Sequence, residues 1–503
     1  MAAMATQSIH SACGASRGRW LRFALVFWCS ALIAGQGLAQ SPATSTETDK
    51  PTGQFLLITD LHFDAFYDPS LFAKLNAAGS DEWATILATS QPPGPGLRGN
   101  DANYTLVASA LADAQKRLPQ PDFILCGGDY LGHFWRPEYD RAAPGVRLRD
   151  PKQFQAFTRK ALEMLAAQFS EHFPGVPIFT TLGNEDSFCG DYDIAPDSLF
   201  LRDFSEIFGP LWLADDEVRR SCQRSLSRHG CYSVLLPRMA RTRLARFHSV
   251  LFSTRYGDDS DPAQRQPGTE ALQWLEQTLA AAEQAGEKVW LLMHIPPGID
   301  AFGTAHALAR DKPLVPFWMP DDLTQFLKLT GRYAKTIVTV LAGHTHMDDF
   351  RLARLDDKQV LFTKMAPGVS PIFGNFPAYQ IFQYSKQSSL LVDYQMVSLP
   401  LHSKRAPNLA ALLAGPAPEW RAEYRFREAY PGAQLTAQGM WNWATTLPAN
   451  AAQGATYRRY FAAGSDETFP AAESPIYESA VAHPTASEFL RALQAARQTR
   501  EAP

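Results

Sequence analysis

Five apolar runs in this chain each end in residues able to bind a metal ion. They are "QFLLITDLHFD", "PDFILCGGDYLGH", "VPIFTTLGNED", "KVWLLMHIPPG" and "IVTVLAGHTHMDD". The first offers Asp60 and His62, two residues apart; in an extended strand end such a pair points to one side, so a carboxylate and an imidazole can share a cation. The second offers Asp129 and His133. Asp129 has two oxygens and can bridge two cations, and the paired glycines before it allow a tight backbone turn. The third offers Asn184, a neutral amide oxygen suited to a site where more negative charge is unwanted. The fourth supplies His294, with two prolines stiffening its loop, and the fifth supplies His344 and His346, again two apart. Each histidine alone reads as a satisfied core residue. The set reads as two divalent cations sharing one carboxylate. Its mixed nitrogen and oxygen donors suit Zn, with Fe or Mn as the other candidates, rather than Ca or Mg.

The elements that must position these groups follow from the spacing. The five runs are strand-length and rich in β-prone residues. Between them lie helical patterns such as "NYTLVASALADAQKRL", "PKQFQAFTRKALEMLAAQF" and "GTEALQWLEQTLAAAEQAG", the last with Leu272, Leu275 and Leu279 on one face. Continuous apolar strands alternating with amphipathic helices predict an α/β protein, with ligands gathered outside the carboxyl ends of the strands. The five sets then meet at one edge if their strands are neighbours. After about residue 399 the chain becomes proline-punctuated and helix-rich, ending in the amphipathic "ASEFLRALQAARQTR".

The 503 residues are 46% hydrophobic and 19% charged, with a net charge of -4. That balance gives no nucleic-acid-binding signal. The first 40 residues read as a secretory signal peptide: Arg17, Arg19 and Arg22, then "FALVFWCSALIAG", then "GLAQS". Residues 41–52 read as a flexible tether, 53–398 as a catalytic domain and 399–503 as a helical C-terminal region. The expectation is a secreted or periplasmic protein with no transmembrane span after cleavage. Cys126, Cys189, Cys222 and Cys231 then sit in an oxidising compartment; Cys222 and Cys231 flank a short loop that a disulfide could close, Cys126 and Cys189 form the other candidate pair, and the pairing stays open. The acidic "DDSDP" near Asp258 reads as a solvated loop, and Trp441 and Trp443 as core.

The ordered set Asp-x-His, Gly-Asp, Gly-Asn, His and Gly-His-x-His resembles the calcineurin-like metallophosphoesterase superfamily. Within it, "MHIPPG", "AGHTHMDDF" and "GVSPIFGNFPAYQIFQY" are similar to the acid-sphingomyelinase-like phosphodiesterases. The resemblance implies a two-sheet β-sandwich flanked by helices. It implies a first metal on Asp60, His62, Asp129 and His346, and a second on Asp129, Asn184, His294 and His344. It places His133 near the scissile phosphate and implies metal-assisted hydrolysis by a bridging hydroxide. The substrate class implied is a small phosphate ester or nucleotide, cleaved at a phosphodiester or phosphoanhydride bond. Tyr192, Asp191, Asn375 and Tyr379 are expected to line or shape the pocket.

One position departs from the commonest pattern: after Asn184 stands Glu185, where a histidine is usual. Two cations nearby should depress its pKa, leaving it unable to donate a proton. Three readings stay open. His133 alone protonates the leaving group, Glu185 binds a cationic or hydroxyl part of the substrate, or Glu185 is structural. "GN" before a non-histidine and Asp also resembles endopolyphosphatase-like relatives, whose phosphate leaving group departs with little help. A phosphomonoesterase or polyphosphatase on the same site, or a secreted metal-binding protein without turnover, are the alternatives.

Overall fold

Each of the five apolar runs forms a strand that stops a few residues short of its first metal-competent side chain. The computed structural model describes residues 51–143, 151–239, 241–257 and 262–501. The leader, nearly all of the tether and the acidic loop at Asp258 lie outside the described residues. In chain order the strands are β1 (Thr52–Ile58), β2 (Ile124–Cys126), β3 (Ile178–Thr180), β4 (Tyr232–Leu235), β5 (Thr242–Arg246) and β6 (Lys288–Leu292). Then come β7 (Ile337–Ala342), β8 (Asp349–Arg354), β9 (Val360–Met365), β10 (Ala378–Ser385), β11 (Leu391–Ser398) and β12 (Arg421–Arg425).

They form two six-stranded mixed sheets, ordered β12-β11-β10-β1-β2-β3 and β4-β5-β6-β7-β9-β8. The five site-bearing strands are therefore divided. β1, β2 and β3 are parallel neighbours in the first sheet; β6 and β7 are parallel neighbours in the second. Parallel pairing aligns the carboxyl ends within each group, which is the condition the sequence pattern required.

The sheets pack through aromatic side chains. Trp290 of β6 meets Phe55 of β1 at 5.2 Å, Tyr384 of β10 at 5.9 Å and Phe123 at 6.0 Å between ring centroids. Its indole nitrogen donates to Ser389 O at 2.8 Å, so the buried ring leaves no polar atom unpaired. The expected helices occupy Tyr104–Arg117, Pro151–His172 and Pro262–Gln284. Asn103 caps the first, accepting from Leu106 N at 2.9 Å. Leu272, Leu275 and Leu279 are all buried, as their spacing requires.

The segment after Ser398 is mostly helical and ends in the helix Ala486–Glu501. It also supplies β12, which extends the first sheet beside β11. Tyr424 of β12 bonds the buried Asp348, which is paired with Lys364, and Tyr457 donates to Asp349 Oδ1 at 2.6 Å. Trp443 is core, packed on Phe350 and Tyr430.

The disulfides expected among the cysteines are not formed. Cys222 and Cys231 bind different carbonyls, those of Ser233 and His229, and Cys126 is buried at the end of β2, between β1 and β3. Cys222 lies inside the helix Asp216–His229 and Cys231 beyond its glycine cap, so the loop between them is a helix rather than a closable turn. No helix among the described residues is long and apolar enough to cross a membrane.

Candidate dinuclear metal centre

The candidate ligands do not converge through extended strand ends. Asp60, His62, Asp129, His344 and His346 all have positive φ, from 39° to 75°. The expectation that residues two apart project together from an extended backbone is therefore corrected: left-handed turns aim these side chains. Such conformations are unfavourable for non-glycine residues and persist where the surroundings over-determine them. Here Asp60 N donates to Gly128 O at 3.0 Å and His62 N to Asp129 O at 2.9 Å, locking the β1 and β2 loops together. His344 N donates to Asp60 Oδ1 at 3.0 Å, which ties in the second sheet.

Asp186 is the internal strut. Its buried carboxylate accepts from Asp129 N at 2.9 Å, Tyr130 N at 2.8 Å and Gly183 N at 2.8 Å. Gly183 has a steric reason to be glycine, since a Cβ there would sit 1.9 Å from Asp129 Oδ1. Asp186→Ala is expected to cost about 3 kcal/mol or more, because buried amides left without an acceptor cost about 1–3 kcal/mol each. A thermal melt of the variant superimposing on that of the parent would contradict this.

The donor atoms face one another. His62 Nε2 lies 3.0 Å from His346 Nε2 and 3.3 Å from Asp129 Oδ2. His346 Nε2 is 3.6 Å from Asp60 Oδ1. His62 Nδ1 donates to Leu131 O at 3.2 Å, and His346 Nδ1 donates to Ser370 O at 3.0 Å. Carbonyls only accept, so the ring proton of each neutral imidazole is on Nδ1 and a lone pair is on Nε2. With both rings neutral, two lone pairs at 3.0 Å beside two carboxylates repel unless a proton or a metal cation lies among them.

The second cluster repeats the arrangement. His294 Nδ1 donates to Gly127 O at 2.8 Å, and His294 Nε2 is 3.1 Å from Asp129 Oδ2 and 3.2 Å from Asn184 Oδ1. Asp191 fixes the amide by accepting from Asn184 Nδ2 at 2.8 Å, which turns Asn184 Oδ1 inward. Asp129, His294 and His344 form one potential metal-binding group; Asp60, His62 and His346 form another. Burial disfavours charge on His294, yet Asp129 holds its pKa up at about 9. Burial likewise opposes ionisation of Asp129, but His294 and His62 hold its carboxyl well below the usual range. Burial, then the charge of His294, lowers His344 to about 3. The position between these groups favours positive charge, and the donor set fits two divalent cations.

His133 stands beside this centre, its ring stacked 4.1 Å from His62. Its Nδ1 lies 3.0 Å from Asp101 Oδ1, and its backbone N donates to Asp101 Oδ2 at 2.8 Å. Burial pulls His133 down, but the bond to Asp101 and its charge outweigh that and hold it at about 9. Glu185 is buried next to Asn184, its backbone N donating to Asp129 Oδ1 at 2.9 Å. Burial, then the charges of Asp191 and Asp129, push Glu185 up to about 9. The charge of His133 opposes this rise without reversing it, so the expected depression of the Glu185 pKa rests on the cations.

A cavity of about 260 Å³ opens beside His344. Its walls include Phe302, Phe317, Phe373 and Tyr192, with Arg255 at the rim. Phe373, 46% exposed, sets its ring edge-on to His346 and His133. Arg255 donates to Asp191 Oδ2 at 2.8 Å and lies over the Tyr192 ring at 4.3 Å. Tyr192 therefore lines the pocket as expected, while Asp191 positions Asn184. Asn375 braces the loop behind His346, donating to Ser370 O and Gly368 O. Tyr379 does not shape the pocket: it sits in β10 and donates to Asp113 Oδ2. Sequence reasoning missed Asp101 and Arg255, which stand in no recognisable motif, and Phe373, which lies within "GVSPIFGNFPAYQIFQY" and was given no task. It quoted Asp186 without giving it a task.

The family model for calcineurin-like phosphoesterase matches residues 53–348. The human acid sphingomyelinase-like phosphodiesterase 3b is 28% identical over 81% of this chain and 82% of its own length. The mouse cyclic GMP-AMP phosphodiesterase SMPDL3A is 24% identical over 84% of this chain and 86% of its own. A dimetal phosphatase of known structure from Danio rerio aligns with 68% of this chain and 95% of its own, at 12% identity and a TM-score of 0.38.

Proposed function

This chain belongs to the calcineurin-like phosphoesterase family of metal-dependent phosphoester hydrolases, and from that premise we propose that it is an exported dinuclear hydrolase of phosphodiester or phosphoanhydride bonds in small phosphate esters or nucleotides. The observation that carries the reading is the convergence of the Nε2 atoms of His62 and His346, 3.0 Å apart, with the carboxylates of Asp60 and Asp129. Asp60, His62, Asp129 and His346 hold one cation; Asp129, Asn184, His294 and His344 hold the other. The mixed imidazole, amide and carboxylate donors favour Zn, with Fe or Mn as the alternatives. Two such cations supply Lewis-acid activation of phosphate oxygens and a nucleophile at neutral pH.

The chain's own residues account for the remaining tasks. Asp101 orients His133, which protonates the leaving oxygen. The aromatic cavity beside His344 receives the organic part of the substrate. Export rests on the basic and apolar pattern of the first 40 residues. The similarity to two phosphodiesterases supports a diester substrate.

A comparison of bis-nitrophenyl phosphate, nitrophenyl phosphate, ATP and polyphosphate, with the metal-loaded protein, tests this. Turnover of the diester or of ATP above that of the monoester is expected. Preference for the monoester would replace the reading with a phosphomonoesterase. The acid at position 185 keeps polyphosphate as a second reading, since a phosphate leaving group needs little protonation. With His133 as the lone acid, Glu185→His is expected to raise the rate on diesters with poor leaving groups by about tenfold or more, because a positioned acid contributes about 10²- to 10⁴-fold. An unchanged rate would assign Glu185 to substrate binding or structure.

A further inference from the structure

Behind the metal-bearing loops, between the two sheets, one guanidinium has no hydrogen-bonded counter-charge among the described residues. Arg246 ends β5 and is 0% exposed. None of its three guanidinium nitrogens has a hydrogen-bond partner among the described residues. Its register partner on β4 is Tyr232. Opposed residues of an antiparallel pair share a face of the sheet. The Tyr232 hydroxyl crosses to β3 of the other sheet, accepting from Thr180 N and donating to Thr180 O, both at 3.0 Å. Arg246 therefore projects into the same space between the sheets.

Other polar atoms there are also unsatisfied. The Thr180 hydroxyl and His248 Nε2 are buried without a partner among the described residues. The groups that could balance Arg246 are Cys231, Tyr232, Tyr130 and Asp186. Burial pushes the Cys231 thiol up to about 11 and raises the Tyr232 hydroxyl further, so neither carries a charge at physiological pH. Asp186 is turned toward the amides of Asp129, Tyr130 and Gly183. Burial lowers the Arg246 pKa, but an arginine still stays charged in this pH range, and a buried charge without a hydrogen-bonded partner is strongly unfavourable.

We propose that Arg246 holds a small monovalent anion, chloride in size and charge, in the closed space between β3, β4 and β5, with the Thr180 hydroxyl as a second donor. One guanidinium matches one negative charge; a phosphate dianion would leave a charge unmatched. The enclosure by Tyr232 and by Trp212, stacked on it at 4.5 Å, favours a spherical ion over a carboxylate. A buried water would satisfy the hydrogen bonds but not the charge.

The full metal-loaded chain, melted in chloride and in gluconate at constant ionic strength, tests the site. A saturable rise in Tm of a few degrees with chloride is expected, lost in Arg246→Met. A bromide-soaked crystal should show an anomalous peak within hydrogen-bonding distance of the Arg246 guanidinium. Equal melting in the two salts with no bromide peak, or a chloride effect that survives in Arg246→Met, would overturn the proposal. If Arg246→Met does not fold, Thr180→Val serves: it should raise the chloride concentration giving half the effect, and an unshifted midpoint would count against the site.

Discussion

Asp129→Ala is expected to lose both bound metals to below one equivalent and to lower kcat/KM on bis-nitrophenyl phosphate by at least about 10³-fold. The size follows from what the side chain shares. Asp129 Oδ2 lies 3.3 Å from His62 Nε2 and 3.1 Å from His294 Nε2, so one carboxylate serves both clusters. Its other oxygen accepts from Glu185 N at 2.9 Å, which also holds the Asn184 loop in place. Alanine removes the shared ligand and exposes four imidazoles to one another with less negative charge between them. Activation by bound cations is worth several kcal/mol, and about 4 kcal/mol corresponds to a factor of 10³. Elemental analysis and steady-state kinetics on the same preparation check it. A metal-loaded variant that turns over at the parent rate would refute the bridging role.

His133→Gln is the second large effect, and its signature is selective. The ring stands between His62, stacked at 4.1 Å, and Asp101, whose carboxylate receives Nδ1–H at 3.0 Å. That bond leaves Nε2 as the atom available to a substrate. A general acid contributes about 10²- to 10⁴-fold, and most where the leaving group is a poor one. Alkyl phosphodiesters should therefore lose kcat in that range, while bis-nitrophenyl phosphate, whose leaving anion is stable, should lose far less. Asp101→Asn should give the same pattern more weakly, since it disturbs the orientation of His133 and not its presence. An equal loss on both substrates would make His133 a binding or metal-supporting residue instead.

The site was legible in the sequence because its chemistry is local. Asp60, Asp129, Asn184, His294 and His344 each follow an apolar run that becomes a strand, and a run of that kind reports its own end. The helices were legible for the same reason: Leu272, Leu275 and Leu279 repeat with the helical period and are buried together. What stayed hidden was set by contacts distant in sequence. Nothing in "DLH" or "GHTH" announces left-handed backbone, because those conformations are imposed by bonds between loops, such as His344 N to Asp60 Oδ1. Asp101 reaches His133 from a loop with no motif. The strand β12 lay within a stretch read as helical, since five residues with mostly exposed faces carry little periodicity and pair only because β11 offers an open edge. The expected disulfides failed on the same ground: sequence separation suggested a closable loop at Cys222 and Cys231, but that segment is helix and each thiol finds a different carbonyl.

Metal content measured alongside activity tests the account most directly. The full chain, stripped with chelator and titrated with Zn, Fe or Mn, should regain hydrolysis of bis-nitrophenyl phosphate in proportion to binding and reach its plateau at two equivalents per chain. A chelated protein that hydrolyses the diester at the full rate, or a plateau at a single equivalent, would contradict a dinuclear centre built on Asp129.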